Sequence, residues 1–237
     1  NWIENRDLKI INLTYNELQT YNIESLKPDS KYSNRFKKQQ SVKGAKISRL
    51  IDLFKLATEE ENKDVFLNLE IKSTPIEAGL TPDPQTLVSL ILKDIKEYNL
   101  ENRVVITSYD WRILYELKKQ NSNVLRGFIT LQQGLSKTKK NIYEDSPWMG
   151  KKFSPDELFL LPDTIKKLEG HVWSVFYKDV TKQNVEIAHK HGLAVTVWTV
   201  NREPDILRMI EYGVDGIITD YPKKIQEICK SKNISWF

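Results

Sequence analysis

VFLNLEIK, residues 65–72, is the stretch of sequence that decides the fold class. Its odd positions are Val, Leu, Leu and Ile, whereas its later even positions are Asn68, Glu70 and Lys72. Because side chains alternate between the two faces of a β-strand, this strand has one apolar face and one polar, charged face. In a barrel the apolar face would pack on the surrounding helices. We therefore expect Glu70 and Lys72 to point at the barrel axis, near the C-terminal end of the strand.

The same kind of segment recurs along the rest of the chain. Helical patterns separate five further candidate strands, which are 103–109, 124–130, 171–177, 194–200 and 214–219. One helical pattern contains the apolar residues of 87–95, Leu90 among them. Another has Pro204 near its start and ends at Gly213. Strands that alternate with helices predict a parallel sheet covered by helices.

The number of candidate strands leaves two architectures open. A closed α/β barrel has eight strands, and six strands would leave sheet edges of the kind that proteins usually cover. Either the sheet is open, or two strand–helix units lie upstream of Asn1. The chain has no starting Met, and its first residues resemble no secretory signal. We therefore expect that it starts inside a longer protein or after a processed segment.

The composition is that of a globular chain. It has 237 residues, 40% of them hydrophobic and 29% charged, which suits one large domain or two small ones. The formal net charge of +4 does not by itself argue for nucleic-acid binding. No run of eighteen apolar residues is present, so we expect no transmembrane helix. Cys229 is the single cysteine, which excludes a disulfide within the chain.

Residues 1–64 differ in pattern from the rest of the chain. Thr14 is placed to cap a short helix, and apolar residues at helical spacing predict a second helix within 47–57. No long strand pattern is present in this region. We expect an irregular, helical, insertion-like region before the first recognisable strand.

Several sequence words resemble those of the glycerophosphodiester phosphodiesterases. VWTVN (197–201) and GVDGIITDYP (213–222) are similar to the family's C-terminal signature. NLEIK (68–72) resembles the family's metal-site strand, and VITSYDW (105–111) resembles the strand that follows it. LTYNEL (13–18) is similar to a segment between the family's second and third strands. The resemblance therefore covers nearly the whole chain.

The resemblance implies an α/β fold of the TIM (β/α)8 barrel type, in which the six candidate strands are strands three to eight. It implies that residues 1–237 are a single, N-terminally truncated domain, with residues 1–64 as an insertion-like region before the third strand. The family's His-Arg-Gly, Glu-x-Asp and His-Asp words supply its acid/base histidines and two metal ligands. These words are absent from the chain and are expected upstream of Asn1.

The resemblance also implies metal-dependent hydrolysis of glycerophosphodiesters to glycerol 3-phosphate and an alcohol. The expected cofactor is a divalent metal ion, Ca²⁺ or Mg²⁺, which takes oxygen ligands, and Glu70 matches the family's third metal ligand. Lys72 is the expected catalytic residue, because an ammonium group suits a phosphate oxygen. The long basic segment 137–152 is a candidate specificity element. The expected substrate-binding residues are Trp198, Ser108, Asn201 and Asp220.

Other interpretations of the same residues stay open. Glu70 and Lys72 also fit a structural ion pair at a barrel mouth, and Trp198 also fits core packing. The chain as a whole fits a catalytically incomplete barrel that binds a lipid head group or a protein, or a related phosphodiesterase on the same fold. The expected partner is a small-molecule glycerophosphodiester and not nucleic acid. Residues 15–40 and 81–84 resemble exported bacterial members, which favours a periplasmic or secreted location.

Overall fold

The structure is a computed structural model that describes residues 8–77, 79–120, 123–133 and 140–235. The described residues form two compact units. The smaller unit comprises residues 8–63 and 79–82, and the larger unit comprises residues 64–77 and the described residues from 83 onward.

The smaller unit consists of short helices joined by turns. They are α1 (Tyr15–Leu18), α2 (Lys31–Arg35) and α3 (Leu50–Ala57), with 3₁₀ turns at Ile10–Asn12 and Glu60–Asn62. The predicted Thr14 cap is confirmed. Its hydroxyl accepts a hydrogen bond from the Glu17 backbone N–H at 3.2 Å, while the Glu17 carboxylate accepts one from the Thr14 N–H. The helix predicted within 47–57 is confirmed as α3, whose apolar side buries Phe54 and Ala57.

The larger unit is built on a parallel sheet of six strands. The strands lie in chain order, each paired with its sequence neighbours: β1 (Leu67–Glu70), β2 (Val104–Ser108), β3 (Leu125–Thr130), β4 (Val172–Phe176), β5 (Ala194–Trp198) and β6 (Gly216–Ile217). All six predicted strands are confirmed. Strand β6 is shorter than the predicted 214–219. It begins only at Gly216, because the Asp215 carboxylate accepts the hydrogen bond of the Val195 N–H at 2.7 Å, where a strand would use a carbonyl.

Helices alternate with these strands, as predicted. Those of the larger unit are α4 (Pro84–Glu97), α5 (Trp111–Gln120), α6 (Pro155–Phe159), α7 (Leu161–Lys167), α8 (Lys182–Lys190), α9 (Glu203–Tyr212) and α10 (Pro222–Ser231), with a 3₁₀ turn at Pro147–Met149. Asp83 caps α4 by accepting a hydrogen bond from the Thr86 N–H at 3.0 Å. Gly213 ends α9 with φ +77°, a left-handed conformation that glycine adopts without strain.

The core of the larger unit contains the apolar side chains of β2, β3 and α5. Trp111 of α5 lies edge-on to Phe128 of β3 at a centroid distance of 5.0 Å, and both rings are buried. The Trp111 Nε1–H donates to the Ile129 carbonyl oxygen at 3.1 Å, so the ring is buried without an unpaired donor. Burial of such a side chain contributes about 1.5–3 kcal/mol. This packing holds the strands at fixed positions beneath the polar residues at their carboxyl ends.

Candidate active site

A cavity of about 800 Å³ lies at the carboxyl ends of the strands. Each strand, or the segment directly after it, contributes to the lining through side chains that include Glu70, Thr107, Ile129, Ser174, Trp198 and Ile218. Parallel α/β proteins bind ligands at this edge of the sheet, since the loops that follow the strands converge there. The cavity is therefore the candidate active site.

Glu70 and Lys72 lie together in this cavity. Asn68, Glu70 and Lys72 all line it, as the two-residue alternation of the strand predicts. The Lys72 Nζ atom is 2.6 Å from Glu70 Oε1, and the two side chains are 79% and 38% exposed. The pair therefore presents a solvent-accessible positive charge and a carboxylate side by side. Their roles as catalytic residue and metal ligand stay predictions.

Ser108 occupies a different place from the one expected of a substrate-binding residue. Its side chain is fully buried, and its hydroxyl donates to the Ile71 carbonyl oxygen at 2.8 Å. The Ile71 N–H in turn donates to the Thr107 carbonyl oxygen at 2.9 Å. The buried hydroxyl is engaged within the protein, and the role of Ser108 in substrate binding stays a prediction. Ser108 anchors the segment between Glu70 and Lys72.

Trp198 lies at the C-terminal end of β5 and lines the cavity, as expected for a substrate-binding residue. Its Nε1–H donates to the Ser174 carbonyl oxygen at 3.1 Å, and its ring centroid is 5.4 Å from that of Phe176. These contacts fix the plane of the indole ring while part of it remains exposed to the cavity. A fixed apolar surface of this kind suits the carbon atoms of a small ligand.

Asn201 and Asp220 join the loops that follow β5 and β6. The Asn201 Nδ2–H donates to Asp220 Oδ2 at 2.7 Å, and Asn201 Oδ1 accepts from the Thr219 hydroxyl at 3.0 Å and from the Asp220 N–H at 2.9 Å. Neither residue is part of the cavity lining. The Asn201 amide is engaged with Thr219 and Asp220 of the loop after β6. The role of Asn201 and Asp220 in substrate binding stays a prediction.

Tyr109, Trp148 and Ser73 are among the cavity residues that the sequence did not predict as site residues. Tyr109 and Trp148 meet edge-on at a centroid distance of 5.2 Å and form an aromatic wall, and Ser73 lines the cavity beyond Lys72. Burial, with smaller effects of Tyr143 and Asp179, raises the pKa of the Tyr109 hydroxyl, which therefore stays protonated. Trp148 lies in the predicted specificity segment 137–152, of which residues 140–152 are described. The strand pattern around Thr107 could have indicated Tyr109, but no local pattern indicated Ser73.

The described residues do not by themselves complete a divalent-metal site. Glu70 offers one carboxylate, and no group of three or more His, Cys, Asp or Glu side chains comes together within the described ranges. Ca²⁺ takes roughly six to eight oxygen ligands and Mg²⁺ takes about six. Glu70 can therefore supply only part of a coordination sphere.

The comparisons with known proteins identify the family. A profile of the glycerophosphoryl diester phosphodiesterase family matches residues 3–224. The chain belongs to the glycerophosphoryl diester phosphodiesterase family. A glycerophosphodiester phosphodiesterase of Caldanaerobacter subterraneus subsp. tengcongensis is 33% identical over 182 residues, which cover 77% of this chain and 61% of that protein.

Solved structures of the glycerophosphoryl diester phosphodiesterase family share the fold. A crystal structure from Silicibacter pomeroyi matches with a TM-score of 0.82 at 29% identity, over 100% of this chain and 74% of the other. A phosphodiesterase of Oleispira antarctica in complex with the product sn-glycerol-3-phosphate matches with a TM-score of 0.57 at 18% identity, over 78% of this chain and 62% of the other. The fold of the larger unit is therefore TIM-barrel-like, as the resemblance implied.

This member of the family spans about three-fifths of the length of the curated relative that it matches, 61% in the alignment above. The expected truncation before Asn1 stays a prediction. Within the described part of the chain, no helix combines the length and the apolar character that crossing a bilayer requires.

Proposed function

We propose that this protein hydrolyses glycerophosphodiesters to glycerol 3-phosphate and an alcohol. The observation that carries the proposal is the exposed Lys72 ammonium group, 2.6 Å from the Glu70 carboxylate, in a cavity at the carboxyl ends of parallel strands. Membership of the family supports the same reaction, as does the 33% identity with the Caldanaerobacter enzyme.

Lys72 would bind a non-bridging oxygen of the phosphate. A phosphodiester is anionic and repels nucleophiles, and negative charge on its oxygens must be stabilised as the reaction proceeds. A unit charge 4 Å from this anion stabilises it by about 1 kcal/mol in water and by about 4 kcal/mol at an effective dielectric constant of 20. Lys72 is mostly exposed in the free protein, so substrate that displaces water from the cavity would strengthen this interaction.

The rest of the cavity fits the carbon atoms of such a substrate. Trp198, Trp148 and Tyr109 provide rigid aromatic surfaces, and Leu131 adds an aliphatic one. Apolar walls with a small number of polar groups are typical of small-molecule sites. The glycerol 3-phosphate complex of the Oleispira phosphodiesterase, which shares the fold, supports a ligand of this size and chemistry.

The proposal includes an eight-stranded barrel in which β1–β6 are strands three to eight. Residues 1–64 would be an insertion before β1. The acid/base histidines and the remaining metal ligands would lie upstream of Asn1, with Glu70 as one ligand of a Ca²⁺ or Mg²⁺ ion. The family resemblance supports these assignments, since Glu70 is the one carboxylate among the described residues that line the cavity.

A phosphodiesterase assay with three variants tests the proposal. The natural full-length protein, including the residues that the proposal places upstream of Asn1, is incubated with glycerophosphocholine or glycerophosphoethanolamine and Ca²⁺ or Mg²⁺, and released glycerol 3-phosphate is measured. Lys72→Gln should lower kcat about 10²- to 10³-fold, as removal of a transition-state donor does. Glu70→Gln should lower activity and weaken its dependence on the divalent ion. Lys93→Gln, which removes an exposed charge on α4, is the matched control and should keep full activity.

Two results would contradict the proposal, the first in the role of Lys72 and the second in the hydrolysis itself. Full activity of Lys72→Gln would show that the ammonium group does not act in the reaction. Absence of product with either divalent ion, together with retained binding of a glycerophosphodiester, would indicate the non-catalytic binding module instead.

A further inference from the structure

Ser73 lies beside a buried carboxylate, that of Asp110. Its hydroxyl donates to Asp110 Oδ2 at 2.6 Å, and Ser73 lines the cavity directly after Lys72. Asp110 is fully buried, and Arg112 holds it through two side-chain bonds, Nε to Oδ1 at 2.9 Å and Nη2 to Oδ2 at 2.6 Å. The Asp110 N–H donates to the Ser108 hydroxyl at 3.1 Å, which ties this group to the anchor of the Glu70–Lys72 segment.

The bond to Asp110 determines whether the Ser73 hydroxyl can donate or only accept a hydrogen bond on its cavity side. A carboxylate accepts hydrogen bonds, and the single proton of the Ser73 hydroxyl is donated to Asp110 Oδ2. The Arg112 guanidinium group lies 2.6 Å from the same oxygen, and this contact raises the pKa of Arg112. No other hydrogen bond to the Ser73 hydroxyl is present among the described residues. Towards the cavity, Ser73 therefore presents lone pairs and no donor.

We propose that Ser73 is a specificity-determining residue that accepts a hydrogen bond from a hydroxyl group of the glycerol moiety, with Asp110 and Arg112 as positioning residues. The inference rests on the proposed function. An acceptor that offers no proton repels a phosphate oxygen, which is itself an acceptor, and suits an O–H group. Lys72 lies one residue away and suits the phosphate. Adjacent residues of one segment thus provide a donor for the anion and an acceptor for the polyol.

The test is calorimetric binding to the natural full-length protein, with glycerol 3-phosphate and with 1-propyl phosphate, which has the same phosphate and carbon chain but no hydroxyl groups on that chain. Ser73→Ala should lower the affinity for glycerol 3-phosphate about five- to tenfold, which corresponds to the loss of one hydrogen bond. It should change the affinity for propyl phosphate by less than about twofold. Ser89→Ala is the matched control. Ser89 is exposed on α4 and bonds to Gln120, so this variant should change neither affinity.

The outcomes separate this inference from the proposed function. Equal effects of Ser73→Ala on the two ligands, or no effect on either, would overturn the role of Ser73 while the glycerol phosphate site stands. Failure of the unmodified protein to bind glycerol 3-phosphate would overturn both.

Discussion

The substitution Asp110→Asn should destabilise the larger unit strongly. The Asp110 carboxylate is fully buried and accepts hydrogen bonds from Ser73 and from the Arg112 guanidinium group. Asn keeps the shape, but it removes the charge and places an amide N–H against one of these donors. Loss of one partner of a buried ion pair costs about 3–5 kcal/mol. Because the Arg112 side chain is 35% exposed and can turn to water, we expect a smaller loss of about 2–3 kcal/mol.

Thermal unfolding followed by circular dichroism measures this loss. In a chain of this size 1 kcal/mol shifts Tm by about 2–4 °C, so the expected decrease is about 4–12 °C. Asp145→Asn is the control, because Asp145 pairs with Lys152 at 3.1 Å on the surface, where both side chains are exposed. Its Tm should fall by no more than about 4 °C. If Tm falls no further in Asp110→Asn than in the control, burial of the Asp110–Arg112 pair does not increase its contribution to the free energy of unfolding, and the reasoning is refuted.

Three further predictions concern packing at Gly170, the pH dependence of stability and the role of Trp198. In Gly170→Ala the new Cβ would lie 2.5 Å from Ile165 Cγ2. This overpacking should lower Tm by about 2–12 °C in the same thermal assay, and an unchanged Tm would contradict the prediction. Burial raises the pKa of the Asp179 carboxyl above 3.8, so its ionisation costs stability as the pH rises through the folded pKa. The Tm of Asp179→Asn relative to the unmodified protein should therefore increase from about pH 3.8 upward, and a decrease would refute the sign. Trp198→Phe removes the hydrogen-bond donor to the Ser174 carbonyl oxygen. It should raise KM for a glycerophosphodiester several-fold with little change in kcat. A decrease in kcat alone would contradict a role of Trp198 in binding.

Much of the sheet could be predicted because the relevant pattern is local. Short strand-like segments separated by helical patterns predicted all six strands, and alternation within residues 65–72 predicted that Glu70 and Lys72 share a face. The caps at Thr14 and Gly213 could be predicted as well, because a side-chain oxygen or a left-handed φ acts within a few residues. Helix faces were predicted less well. Leu90 was expected on the apolar face of α4, but it is 56% exposed.

The roles of single polar residues depended on contacts between distant parts of the chain. Ser73 and Asp110 are 37 residues apart, and so are Ser108 and Ile71, so no local pattern could show that they bond. The sequence by itself determined the order of strands, the family and the inward direction of Glu70 and Lys72. Only the tertiary structure decided that Ser108 supports the site while Ser73 faces it. The physical reason is that a hydroxyl acts according to what surrounds it, and those surroundings exist only after the strands have paired.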